Sequence, residues 1–164
     1  ADIVAALGRL LFSATNLEHE AIAVLGILLD AGDPGVGEAV TIRMGAQAVL
    51  DRCRWLGELR LREDHPAELA QLEQWIDRAE AALRRRNEVV HSQWFIDLAD
   101  EWQTYDDVVH GQARLRSRKG SLTFDSWQVT ADSVDDLARE CRMARVKGLF
   151  TWSALAACLR PEQG

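Results

Sequence analysis

The chain is short of several features that would place it in a class at once. It has only three cysteines, Cys53, Cys141 and Cys158, an odd number at wide spacing. A disulfide framework is therefore not expected, and the three read as free thiols of a reducing compartment. Its longest apolar run, Ala21 to Leu29 with Gly26 inside it, is too short to span a bilayer. No basic stretch is followed by an apolar run and a cleavage site, so the expectation is a cytoplasmic protein with no membrane partner. The four histidines, His19, His65, His91 and His110, show no ligand spacing. "HEAIA" opens like a zincin helix, but Ala23 stands where a second His is required. "GDPGVGEA" lacks a preceding strand and a Lys-Ser/Thr pair, so it reads as a linker and not a phosphate loop. No Gly-x-Ser-x-Gly elbow is present. Neither metal nor cofactor is expected. Cations are also in deficit: 19 Lys and Arg against 26 Asp and Glu leave a net charge of −7. Such a chain repels a polyanion at long range, and any nucleic-acid site must be a local basic patch.

What is present is helical periodicity over a length, 164 residues, that suits one domain with a real core. Ile3, Leu7, Leu10, Ala14, Leu17, Ala21, Val24 and Leu28 form one seam at spacings of three and four. Beside it runs Val4, Leu11, Glu18, Leu25, an apolar column that Glu18 interrupts. The glycines and Pro34 of "DAGDPGVG" should end this first helix. A second helix is expected from about 38 or 41 to 63, with Met44, Ala48, Val49, Cys53, Leu56 and Leu59 to Leu61 on its apolar side. His65-Pro66 opens a third. Its seam reads Leu69, Leu72, Ile76, Ala79, Leu83, then Arg86, then Val90. The acidic stretch 97–107 reads as a solvated loop or a short frayed helix. Leu122 and Phe124 then alternate, Trp127 and Val129 alternate in the opposite phase, and a bulge is expected near Asp125-Ser126. Asp132 or Ser133 should cap a last helix, whose face carries Val134, Leu137, Cys141, Ala144, Gly148, Trp152, Leu155 and Leu159. The expected fold is a single all-α domain: a bundle of four main helices, with a small β-hairpin at about 112–130 inserted before the last. Core packing is the expected role of most of the six tryptophans.

One stretch, "RRRNEVVHSQW" at 84–94, gathers reactive side chains. Asn87 and His91 are four apart and share a helix face, with Arg84 preceding them on it. Arg86 and His91 are five apart, about 140° around an ideal helix, yet an arginine is long enough to sweep back over a turn. Arg86 occupies a seam position, where an unpaired charge would cost several kcal/mol. Glu18 breaks the first helix in the same way, so the two can meet as an ion pair, or Glu18 can accept from His91. The plain alternative is a structural pair beside a surface histidine. In the hairpin, Arg114, Arg116, Arg118 and Lys119 stand without an acid. They can grip a nucleic-acid backbone, or simply protect an edge strand, which is the plainer reading.

Arg86-Asn87-Glu88-Val89-Val90-His91 resembles the motif of the HEPN superfamily, small helical domains found among prokaryotic RNA-cleaving toxins and defence proteins. There an Arg, a polar residue and a His follow one another at this spacing on a core helix. The segment "LLFSATNLEHEAIAVLGILL" resembles the neighbouring helix, with Glu18 as its embedded acid. The resemblance covers roughly residues 2–94 and the last helix. It implies an HEPN-like bundle and a metal-independent endoribonuclease, a toxin or antiphage effector with RNA as substrate. His91 and Arg86 would be the catalytic pair, with Asn87 and Glu18 supporting them. Arg84, Arg85, Arg116 and Lys119 would bind RNA. It also implies a homodimer in which two motifs line one cleft, and an antitoxin or inhibitor protein as partner. Family members silenced by nucleotide transfer carry a Tyr two residues after the His; here position 93 is Gln, and the sole tyrosine is Tyr105. The alternative is a non-catalytic helical module that binds a partner protein or a nucleotide in the same cleft.

Overall fold

The computed structural model describes residues 3–29, 34–97, 109–118 and 121–159. The chain is predominantly helical. Among the described residues the order is α1 (Ile3–Leu28), α2 (Pro34–Thr41), α3 (Ala46–Leu61), α4 (Pro66–His91), β1 (Gln93–Asp97), β2 (Val109–Arg118), β3 (Ser121–Val129) and α5 (Ala131–Leu159).

The first seam folds as its spacing requires. Ile3, Leu10, Ala14, Leu17, Ala21, Val24 and Leu28 are buried and Leu7 is partly so. The adjoining column divides. Val4 and Leu11 are exposed, Glu18 is half-buried, and Leu25 is in the core. Each Leu taken fully out of water contributes roughly 1.5–3 kcal/mol before entropy is charged against it.

Between residues 34 and 45 the sequence reading needs correcting. Pro34 does not merely follow the stop of α1; it opens a helix of its own, because Pro fits the first helical turn. The "GDPGVGEA" linker is thus largely helix. Gly37 is what lets it dock. A Cβ there would lie 3.2 Å from the Ile22 carbonyl oxygen and 3.4 Å from Gly26 Cα, so two helix backbones touch. Thr41 closes α2 by donating to the Gly37 carbonyl at 2.9 Å. The expected single helix from about 38 to 63 is broken at 42–45, where Arg43 adopts φ 70°. Its apolar side also differs. Leu50 and Gly57 are buried, while Ala48 and Leu59 are exposed. Gly57 leaves room for α4: a Cβ there would meet Leu72 Cδ2 at 2.4 Å.

The polar contacts fix directions. Cys53 lies against the Ala21 carbonyl and Arg60 donates to the Leu28 carbonyl, so α3 runs parallel to α1. Arg9 binds Asp135, and Arg142 reaches Ser13, so α5 also runs parallel to α1. α4 is antiparallel to both neighbours. On one side Arg54 meets Glu80 and Asp77 while Gly57 faces Leu72; on the other Trp75 donates to the Ala144 carbonyl while Arg85 pairs with Glu140. Among the tryptophans whose burial is described, Trp75 is in the core, Trp152 packs partly buried against it, and Trp55 is exposed, contrary to the expected core role.

α4 ends at His91, with Ser92 in an extended conformation, and β1 follows. Trp94 therefore lies on a strand, and Asp97 ends β1 rather than opening a loop. The rest of the acidic stretch, 98–107, lies outside the described residues. β1, β2 and β3 form an antiparallel sheet in that order. β2 and β3 pair without a skip from Arg118↔Ser121 to His110↔Val129. The bulge expected near Asp125-Ser126 is absent, since a ladder of backbone hydrogen bonds takes a change of apolar phase without an extra residue. α5 is capped two or three residues earlier than expected, at Thr130. The Thr130 hydroxyl accepts from the Ser133 N–H, and the Ser133 hydroxyl accepts from the Thr130 N–H, both at 3.1 Å. This is a reciprocal capping box with Ser in the third position.

Candidate functional site

The three arginines of 84–86 point three ways, as successive residues about 100° apart on a helix must. Arg85 turns to α5 and pairs with Glu140. Arg86 crosses to α1 and pairs with Glu18, which settles the choice between Arg86 and His91 as the partner of that acid. Its side chain is 15% exposed and that of Glu18 32%. The Arg86 Nε is fully buried with no hydrogen-bond partner among the described residues. Arg86 also lies near Cys141 of α5, where its charge opposes the effect of burial, which still pushes that thiol up to about 11. The guanidinium thus sits where α1, α4 and α5 converge.

Arg84 takes the third direction. It is exposed and lines a cleft of about 590 Å³ between α1, α3 and α4. Glu18 forms one wall. Ala46, Gln47 and Leu50 of α3 form the second, and Glu80, Leu83, Arg86 and Asn87 of α4 complete the third. Glu80 is already engaged, accepting from Arg54 at 3.0 Å and Gln47 at 2.9 Å. The Glu80 hydrogen bond is the main cause of an upward shift in the Arg54 pKa. With Glu18 on Arg86 and Glu80 on Arg54, Arg84 is the one cleft cation without an ion pair among the described residues. The cleft also meets the first turn of α3, whose N-cap is Gly45 with no side-chain cap. Free backbone N–H groups there add donors, and a guanidinium, an amide side chain and a helix start suit an oxyanion.

His91 is the last residue of α4 and is exposed. It shares the helix face of Arg84 and Asn87 but does not line the cleft. Arg116 is on β2 opposite Thr123. Lys119 lies outside the described residues. The structure thus gathers Glu18, Arg84, Arg86 and Asn87, sends Arg85 to another surface, and leaves His91 one turn past the rim.

Sequence reasoning missed the α3 contribution. The cleft needs a helix start at Ala46, and the unbroken helix expected there hides it. Glu80 carried a signal, since it precedes Arg84 by four and Asn87 by seven on one face. Among the described residues no group of three or more His, Cys, Asp or Glu is placed to hold a metal ion. No described helix is long and apolar enough to cross a membrane. Comparison with family models, curated proteins and solved structures returned no match.

Proposed function

We propose that the protein is a metal-independent endoribonuclease of the HEPN kind. The observation that supports this reading best is the half-buried Arg86, held by Glu18 at the wall of a cleft that also takes in Arg84 and Asn87. An RNA phosphate at that wall would meet a guanidinium already fixed in place, which limits the entropy lost on binding. In the reaction, the His91 imidazole takes the proton of the ribose 2′-hydroxyl. The 2′-oxygen attacks the adjacent phosphorus, the bond to the 5′-oxygen breaks, and that oxygen receives a proton. The products are a 2′,3′-cyclic phosphate and a 5′-hydroxyl. Imidazole suits the proton transfers because it titrates near neutrality, and the guanidinium offsets charge on the pentacoordinate phosphorus.

The exposed His91 at the end of α4 gives a homodimer its purpose: a second copy would bring imidazole and guanidinium to the same phosphate. A toxin or antiphage role, restrained by an antitoxin or inhibitor protein, belongs to the same proposal. The non-catalytic reading draws on two of the same observations. Arg86 is satisfied by Glu18, and His91 stands off the cleft, which is what a module that only binds a protein or nucleotide would tolerate. Incubating purified protein with RNA in excess chelator decides between them. The proposal expects cleavage with cyclic phosphate ends, lost by at least about a hundredfold in His91→Ala. Equal RNA survival with wild type, His91→Ala and no protein removes the enzyme reading.

A further inference from the structure

α5 carries a second seam, on the side away from the core. Its buried side packs on α1 and α4 through Val134, Leu137, Ala138, Cys141, Ala144, Gly148 and Leu155. On the opposite side Arg139, Met143, Val146, Phe150, Ser153 and Ala157 follow at spacings of 4, 3, 4, 3 and 4. All are exposed, with Met143 at 58%, Val146 at 44% and Phe150 at 65%. This is the narrow period of a two-helix seam, and nothing in the described chain covers it.

The charges beside it choose the occupant. Next to the apolar centre, the flanking positions of the heptad hold Arg142, Lys147 and Leu149, all exposed; Arg142 also reaches Ser13 of α1 at 3.5 Å, and Leu149 widens the apolar stripe. Arg145 adds a third cation nearby. The acid of this stretch, Glu140, is drawn away to Arg85 on α4, and Arg139 already pairs with Asp136. We infer that the Met143–Val146–Phe150 stripe docks an amphipathic helix of a partner protein, one with acidic residues on both sides of its apolar seam. Flanking charges set partner choice in such packing.

A second copy of α5 is a poor occupant. Antiparallel pairing would set Lys147 against Lys147 and Arg142 against Arg142; parallel pairing would set Lys147 against Arg142. An anionic membrane is also disfavoured. A basic apolar helix suits one, but this face offers only four large apolar side chains, Met143, Val146, Leu149 and Phe150, on a helix fixed in a bundle, and the chain carries −7 overall. The inference does not depend on RNA cleavage.

The probe is a labelled three-heptad peptide with Leu at its seam positions and Glu at its flanks; Glu repulsion keeps it from pairing with itself. A twin carries Lys in place of Glu. Fluorescence anisotropy with the full chain should show binding of the Glu peptide and not of the Lys peptide. Phe150→Asp should weaken binding at least about tenfold, as loss of an interface anchor does. Val146→Ser serves as a milder second variant, and helical circular dichroism confirms that each has folded. The double variant R142E/K147E should reverse the preference and take the Lys peptide. Failure to bind the Glu peptide, or equal binding of both, overturns the inference. So does self-association that Phe150→Asp abolishes, or sedimentation with phosphatidylserine vesicles in place of peptide binding.

Discussion

Two carboxylates of α1 enter the interior, and they should respond to substitution in opposite ways. Glu18 holds the half-buried Arg86, so Glu18→Ala leaves a cation without its partner. Thermal or urea unfolding should show a loss of about 1–3 kcal/mol, at the modest end because both groups keep some contact with water. The double variant Glu18→Leu with Arg86→Met should recover most of that loss, since an apolar pair there leaves no charge to desolvate. Equal stability of wild type and Glu18→Ala would show that the pair behaves as a surface contact. Glu20 is different. It is 7% exposed, beside Gly148 and Trp75, and burial raises its pKa more strongly than Arg145 lowers it. A folded-state pKa above the unfolded value means that the fold favours the protonated form. Its contribution is fully present below the ordinary carboxyl value of the unfolded chain and is lost as pH rises through the folded value. Glu20→Gln should therefore melt higher than wild type at pH 7, with the two curves converging as pH falls toward the unfolded value. A gap that widens on acidification would refute this.

At the scale of elements, legibility followed periodicity. The seams of α1, α4 and α5 could be read because each repeats over six or more turns, long enough for the buried face to stand out from chance. The same reading marked Glu18 and Arg86, as charges that break a regular column. α2 was not legible because its burial rests on Gly37, a residue with no side chain to register in any hydrophobic pattern. The break at 42–45 was hidden for a related reason: Arg43 adopts a conformation that points to Gly or Asn, and arginine gives no such signal. The cleft wall at Ala46 and Gln47 was lost with that break. β1 was missed because five residues joined directly to a helix end carry too few alternations to count. Gly37→Ala tests the role given to α2. Its Cβ would press on backbone, which cannot rotate aside, so stability should fall by about 1–2 kcal/mol. Amide exchange should accelerate in α2 before it does in α4. Unchanged stability would mean that α2 rides loosely on α1.

Over the whole molecule, the net charge of −7 limits how RNA can be held. If each member of a pair contributes Arg84 and Arg86, four phosphate contacts give a slope of log affinity against log salt of roughly −3. A much steeper slope would mean that strand cations such as Arg116 share the load; no salt dependence would exclude phosphate contact. Sedimentation under the same conditions should show a two-chain mass wherever cleavage occurs. The parallel docking of α1 and α5 has a consequence of another sort, one of timing. Arg9 and its partner Asp135 are separated by 126 positions. At the usual rate of synthesis, α1 leaves the ribosome roughly 6–25 s before the helix that covers it. For that interval Leu10, Leu17 and their neighbours have no α5 to pack against. The nascent chain is at its most adhesive while it waits for its last helix, and its yield in a cell will depend on what shields α1 until then.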